Sequence, residues 1–136
     1  MTPNHQTTAS FQSLSDLMRG REWPTLRQAM LADAEAVLAL RIPAGLIWFQ
    51  GHFPGQPVLP GVVQVHWAAK LSAIIFAGLP GFSSMSNLKF KTMITPELDV
   101  DLSLQLKRSE RRANIVFSYQ GDALVYSSGS VVFSLP

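Results

Sequence analysis

Cysteine is absent from this chain, and with it every disulfide and every thiolate metal site. A reducing, intracellular setting fits that absence. Charge is sparse as well. Asp, Glu, Lys and Arg make up 15% of the 136 residues, and the formal net charge is only +2 with a pI near 9.3. So small an excess gives no reason to expect nucleic acid as a partner. Apolar runs stay short of the roughly 18–20 residues that a membrane helix needs. The N-terminus lacks the basic-then-apolar layout of a signal peptide. The expectation is a cytoplasmic protein without a membrane span. Hydrophobic residues are not scarce: at 47% they argue against a disordered chain. The length fits one domain, large enough to bury its own core.

Residues 1–22 read as a polar tail carrying one short helix over 10–19. Ser10 is its cap, Phe11, Leu14, Leu17 and Met18 are its apolar face, and Gly20 is its stop. Residues 23–136 read as the folded domain. A weak strand over 27–32 and a stronger one over 35–42 come first. Pro43, Gly45, Gly51, Pro54, Gly55, Pro57 and Pro60 then stiffen a long loop. A loop of that length inside a compact domain is usually functional. From Gly61 to Ala77 the pattern changes: no proline or glycine follows Gly61, and apolar residues occupy almost every side. Such a segment is expected to be a buried helix, with Gly78 and Pro80 ending it. Strands are expected over 85–91, 99–107, 115–119 and 124–135. The third-from-last alternates cleanly, with Val100, Leu102, Leu104 and Leu106 on one face. The predicted class is α+β, an antiparallel sheet curled around one long helix.

The loop ends in Gly51-His52-Phe53-Pro54-Gly55-Gln56-Pro57-Val58-Leu59-Pro60-Gly61. This stretch resembles the active-site segment of the FabZ/FabA 3-hydroxyacyl-[acyl-carrier-protein] dehydratases. Leu88-Lys89-Phe90-Lys91, Thr95-Pro96 and the alternating strand from Asp99 resemble later landmarks of that family. The resemblance runs from about residue 26 to the end. It implies a hot-dog fold and a homodimer with two interfacial sites. Higher assembly, or a heterodimer with a paralogue, is compatible with it. It also implies an acyl carrier protein as partner, whose phosphopantetheine carries the substrate, and no cofactor bound by the chain itself. The reaction implied is loss of water across C2–C3 of a 3-hydroxyacyl thioester to give a trans-2-enoyl thioester, in fatty-acid or polyene-type biosynthesis. In the family the motif histidine works with an acidic residue on the central helix of the other protomer. Here that position is His66, and one turn later Lys70 stands where FabZ-type sequences carry Gln. Histidine at this position resembles the aryl-polyene-type, ApeI-like branch.

The chemistry needs a base for a C2 proton, an acid for the departing hydroxyl, and a donor to the thioester carbonyl. His52 suits the base, because an imidazole with its ordinary pKa of about 6.5 titrates near working pH. Gly61 opens the helix, so its free N–H can polarise the carbonyl, and a glycine there lets a ligand approach. Pro60, which sits where a first-turn proline is tolerated, and Phe53 support this corner. His66 reads either as a hydrogen-bonded core histidine or as the replacement acid, and Lys70 supports it from the same helix face. Trp48, Phe49, Trp67 and Phe90 are candidates to line an acyl or aryl pocket, with plain core aromatics as the alternative. Gln64 reads as packing or interface. No metal site is expected, since no carboxylate has ligand spacing with the histidines. Lys107, Arg108, Arg111 and Arg112 read as a solvated turn, or else as a docking patch for an acidic carrier protein. Two further readings stay open: an acyl thioesterase of the same fold, weakened by the lack of a carboxylate on the central helix, and a degenerate subunit that binds an acyl chain or pairs with an active partner.

Overall fold

The computed structural model describes residues 9–50 and 55–135. Helix α1 spans Phe11–Leu17, and strands β1 and β2 span Thr25–Leu31 and Glu35–Arg41. A 3-10 turn covers Ile47–Phe49 inside the long loop. Helix α2 spans Gly61–Ile75. Four strands follow: β3 (Phe82–Phe90), β4 (Asp99–Arg108), β5 (Arg112–Gly121) and β6 (Leu124–Ser134). The strands form one antiparallel sheet in the order β1-β2-β4-β5-β6-β3. Helix α2 packs on β4, β5 and β6. This is the hot-dog arrangement expected from the order of elements.

Period-2 patterning places the core. In β4, Val100, Leu102, Leu104 and Leu106 all turn inward, and in β2 Ala36, Leu38 and Leu40 do the same. Each fully buried leucine of this kind contributes about 1.5–3 kcal/mol. Helix α1 begins at Ser10, whose hydroxyl accepts the Ser13 N–H while the Ser13 side chain returns the bond to the Ser10 N–H. Gly20 follows with φ +95°, a left-handed turn suited to glycine. Of the four apolar residues expected on one face of α1, Leu14 and Met18 are buried and join the main core. Phe11 and Leu17 are exposed.

Two expectations need correction. Pro60 is the N-cap of α2, in an extended conformation, rather than a first-turn residue. Helix α2 is also not buried all round. Val63, Gln64, Trp67, Ala68, Leu71 and Ile75 are buried, but Val62, His66, Lys70 and Ala73 form an open stripe, with Val62 71% exposed. The physical reason is that a single curled sheet covers one side of a helix only. Strand β3 is open too. It is an edge strand, exposed at every residue, and it carries Phe82, Met85, Leu88 and Phe90.

Candidate active site

The corner at the start of α2 is held by a buried polar hub. Gln64 is 3% exposed, and its Nε2 donates to the Leu59 carbonyl at 3.2 Å. Its Oε1 accepts from Ser127 Oγ on β6 at 2.6 Å. The Tyr119 hydroxyl on β5 donates to the Gln64 backbone carbonyl at 2.7 Å. Burial pushes the Tyr119 phenol well above its ordinary pKa, which keeps it a neutral donor. The Leu59 N–H donates to Ile94. Leu59, Pro60 and Gly61 are therefore fixed from the loop side, the helix side and the sheet side at once.

Helix α2 leaves its first N–H groups without helical partners, as every helix does. The Val63 N–H turns back to the Pro60 carbonyl at 3.1 Å, and the same carbonyl accepts the first bond of the helical ladder from the Gln64 N–H at 3.3 Å. Gly61 and Phe90 lie together on a cavity of about 300 Å³, shared with Val58, Pro60 and Met93. The Phe90 ring sits so close that a Cβ on residue 61 would lie 2.8 Å from its Cε1 and Cζ. Glycine at 61 thus answers to an aromatic neighbour as well as to any ligand.

His66 lies elsewhere on α2. It lines a second, mostly apolar cavity of about 480 Å³ with Val62, Val65, Ala69, Lys70, Met85 and others from β3 and β6. His66 is exposed, so it is not the hydrogen-bonded core histidine of the plainer reading. Among the described residues, Gly61 and His66 line separate cavities. His52 and Phe53 lie outside the described residues. Between Glu35 and Glu97 the chain has no acidic residue at all, so side-chain acid–base chemistry in that span falls to imidazole, with Lys70 the nearest ammonium on the helix.

The expected pocket aromatics separate. Phe90 lines the smaller cavity. Trp67 has no exposed surface, and Phe49 is 9% exposed. Both are core residues, which departs from the pocket reading: a ring sealed by its neighbours offers no face to a ligand. Trp48 is half-buried, and its indole N–H donates to the Glu22 carbonyl at 2.9 Å. The Trp67 indole N–H donates to the same oxygen at 3.0 Å. Trp23, next in the chain, stacks on Trp67 with centroids 6.5 Å apart and stands 6.3 Å from the His66 ring. Sequence reasoning missed Trp23. It lies in a stretch without periodicity, and its only signal is a large aromatic beside Pro24. Among the described residues, no group of three or more metal-ligating side chains gathers. In the basic hairpin, Arg108 donates to the Ala77 carbonyl at 2.5 Å, which ties one of its charges to the end of α2.

An antiparallel sheet curled over one long helix defines a hot-dog protein. The chain belongs to the ApeI-like family, described as ApeI dehydratase, whose family model matches residues 28–130. It is similar to the dehydratase heterocomplex ApeI:P from Xenorhabdus doucetiae, with 29% identity and a TM-score of 0.74, over 82% of this chain and 98% of that one. It is 37% identical over 87 residues to the 3-hydroxyacyl-[acyl-carrier-protein] dehydratase FabZ of Erythrobacter litoralis (strain HTCC2594). That match covers 57% of this chain and 56% of the relative, so the chain spans only about half the length of that protein. Thioesterase superfamily member 2 from Mus musculus, at 13% identity and a TM-score of 0.69, shares the fold alone. No helix among the described residues is long and apolar enough to cross a membrane.

Proposed function

We propose that this chain dehydrates 3-hydroxyacyl thioesters carried by an acyl carrier protein, giving trans-2-enoyl thioesters and water. The observation that carries the reading is His66: the chain belongs to a dehydratase family, and the open, apolar-floored face of α2 bears an imidazole that can serve as the acid. His52 takes the C2 proton. The C3–O bond breaks, and the hydroxyl leaves as water with a proton donated by a His66 ring N–H, directly or through a bound water. The C2 proton on His52 and the proton lost from His66 are then exchanged with solvent, which restores both rings. The Gly61 N–H, helped by the start of the helix, stabilises charge on the thioester oxygen. Phe90 flanks that oxygen, and Lys70 lies one turn along from His66 on the same face. The substrate arrives on phosphopantetheine, and the chain needs no cofactor of its own. The setting is the cytoplasm.

Two protomers make the site in this reading. Among the described residues, Gly61 and His66 of one chain line different cavities, and in this reading pairing brings the Gly61 corner of one copy to the His66 face of another. That other copy is either identical or a paralogue. The second option is favoured by the similarity to a protein whose solved form is a heterocomplex.

The test is intact-mass analysis of a 3-hydroxyacyl carrier protein incubated with the purified protein, alone and with a co-expressed paralogue. Loss of one water, abolished in His52→Ala and reduced at least about tenfold in His66→Ala, is the expected outcome. Release of free acid identifies a thioesterase and overturns the proposal. Unchanged mass in both mixtures overturns it as well.

A further inference from the structure

We propose that Trp23 is a positioning residue for His66, and that the segment Arg21–Trp23 is a strap built to hold it there. The proposal deepens the dehydratase reading and rests on it for its effect on turnover.

The geometry begins with the Glu22 carbonyl. An oxygen with two lone pairs can accept two donors, and this one accepts both the Trp48 and the Trp67 indole N–H groups. A buried indole needs a partner for its N–H. Here two indoles from different elements, the 3-10 turn and α2, share a single backbone atom. The strap is tied further. Arg21 Nε donates to the Gly45 carbonyl at 2.9 Å, and the Ile47 N–H donates to the Arg21 carbonyl at 2.9 Å. Glu22 is therefore fixed to the long loop and to the central helix together. Pro24, buried, stiffens the chain on the other side.

This fixed backbone carries Trp23 across α2. Its ring stacks on Trp67 at an interplanar angle of 20°, and Trp67 has no freedom in the core. The same indole also meets His66, with an interplanar angle of 31° and a centroid distance of 6.3 Å. That distance lies within the range of aromatic pair contacts. An imidazole on a helix that no neighbouring ring restrains samples several staggered rotamers. Against an indole anchored by its stack on Trp67, fewer of these rotamers are open to His66, which lines the apolar cavity. The consequence is catalytic, because a donor held in place spends a larger fraction of its time aligned with the leaving hydroxyl.

The experiment uses the active assembly and follows the His66 Cε1–H resonance, assigned by its absence in His66→Asn. In the wild type the indole ring current displaces this signal from the position of a freely exposed histidine. Trp23→Leu is expected to return it toward that position and to lower kcat about three- to tenfold with KM unchanged. Trp23→Phe is expected to retain most of the displacement and most of kcat. Trp48→Phe removes one of the two bonds to Glu22 while leaving Trp23 in place. It should shift the signal in the same direction by less, which keeps the inference testable if Trp23→Leu folds poorly. A His66 signal that stays in place in both variants overturns the inference. So does a Trp23→Leu protein whose kcat and KM both match the wild type. Normal turnover by His66→Ala overturns the acid role of His66 instead, and the ring contact is still read from the resonance. The two failures therefore appear in different variants.

Discussion

Glycine at position 61 is required by what sits over it. A Cβ there would meet the Phe90 ring at 2.8 Å, well inside contact distance. Phe90 is half exposed, so the ring can swing away, at the expense of its packing over the helix start. Gly61→Ala is therefore expected to destabilise the chain by about 1 kcal/mol, the lower end of overpacking costs. Phe90→Leu in the same chain should recover most of that loss, since the clash is with the ring. Urea unfolding of the two single variants and the double variant checks this. Equal losses in Gly61→Ala with and without Phe90 would mean that the strain lies in the backbone. At this scale the motif was legible from order alone: Pro60-Gly61 before an apolar run marks a helix start. The partner of that glycine was not, because Phe90 reaches it from the far end of β3. Trp23 was hidden for the same reason. Its contacts with His66 and Trp67 join segments far apart in the chain, and local patterning carries no trace of them.

Between elements, the decisive joint is the one that docks α2 on the sheet. The Tyr119 hydroxyl reaches from β5 to the Gln64 carbonyl, and Ser127 Oγ reaches from β6 to the Gln64 side chain. Tyr119→Phe removes one such bond and is expected to cost about 1 kcal/mol at neutral pH. The pH dependence has a definite sign. Burial raises the Tyr119 pKa in the folded state, so above about pH 10 the unfolded phenol loses its proton while the folded one keeps it. The unfolded state then binds fewer protons, and stability falls as pH rises. Tyr119→Phe should flatten that part of the alkaline loss, as followed by thermal or urea unfolding from pH 8 to 11. The strands themselves were readable from period-2 alternation, most clearly in β4. The strand β3 was read as starting at residue 85, whereas it begins at Phe82. Gly81-Phe82-Ser83-Ser84 has no β-branched residue to mark it, and pairing with β6 supplies what propensity lacks.

For the whole molecule, the open stripe of α2 and the fully exposed strand β3 face the same cavity. Val62, His66, Lys70 and Ala73 contribute one wall, and Phe82 and Met85 the other. The sequence pattern of α2, apolar on nearly all sides, reads as complete burial, yet one chain covers only half of the helix. An unpaired edge strand bearing large apolar residues is a template for pairing, and an apolar patch of this kind marks an interaction site. The pattern and the single chain agree once a second copy or a paralogue covers that face. Met85 tests this cleanly. It is 46% exposed and lies on the cavity wall, so a charge there costs the isolated chain little. Buried against a partner, the same charge would be desolvated without a counter-ion. Met85→Lys is therefore expected to leave unfolding of the single chain within about 0.5 kcal/mol of wild type. It should also shift the assembly toward monomer in light scattering, with turnover lost in parallel. An assembly that stays intact with Met85→Lys would place the partner on another face of the sheet, and His66 would then have to act without it.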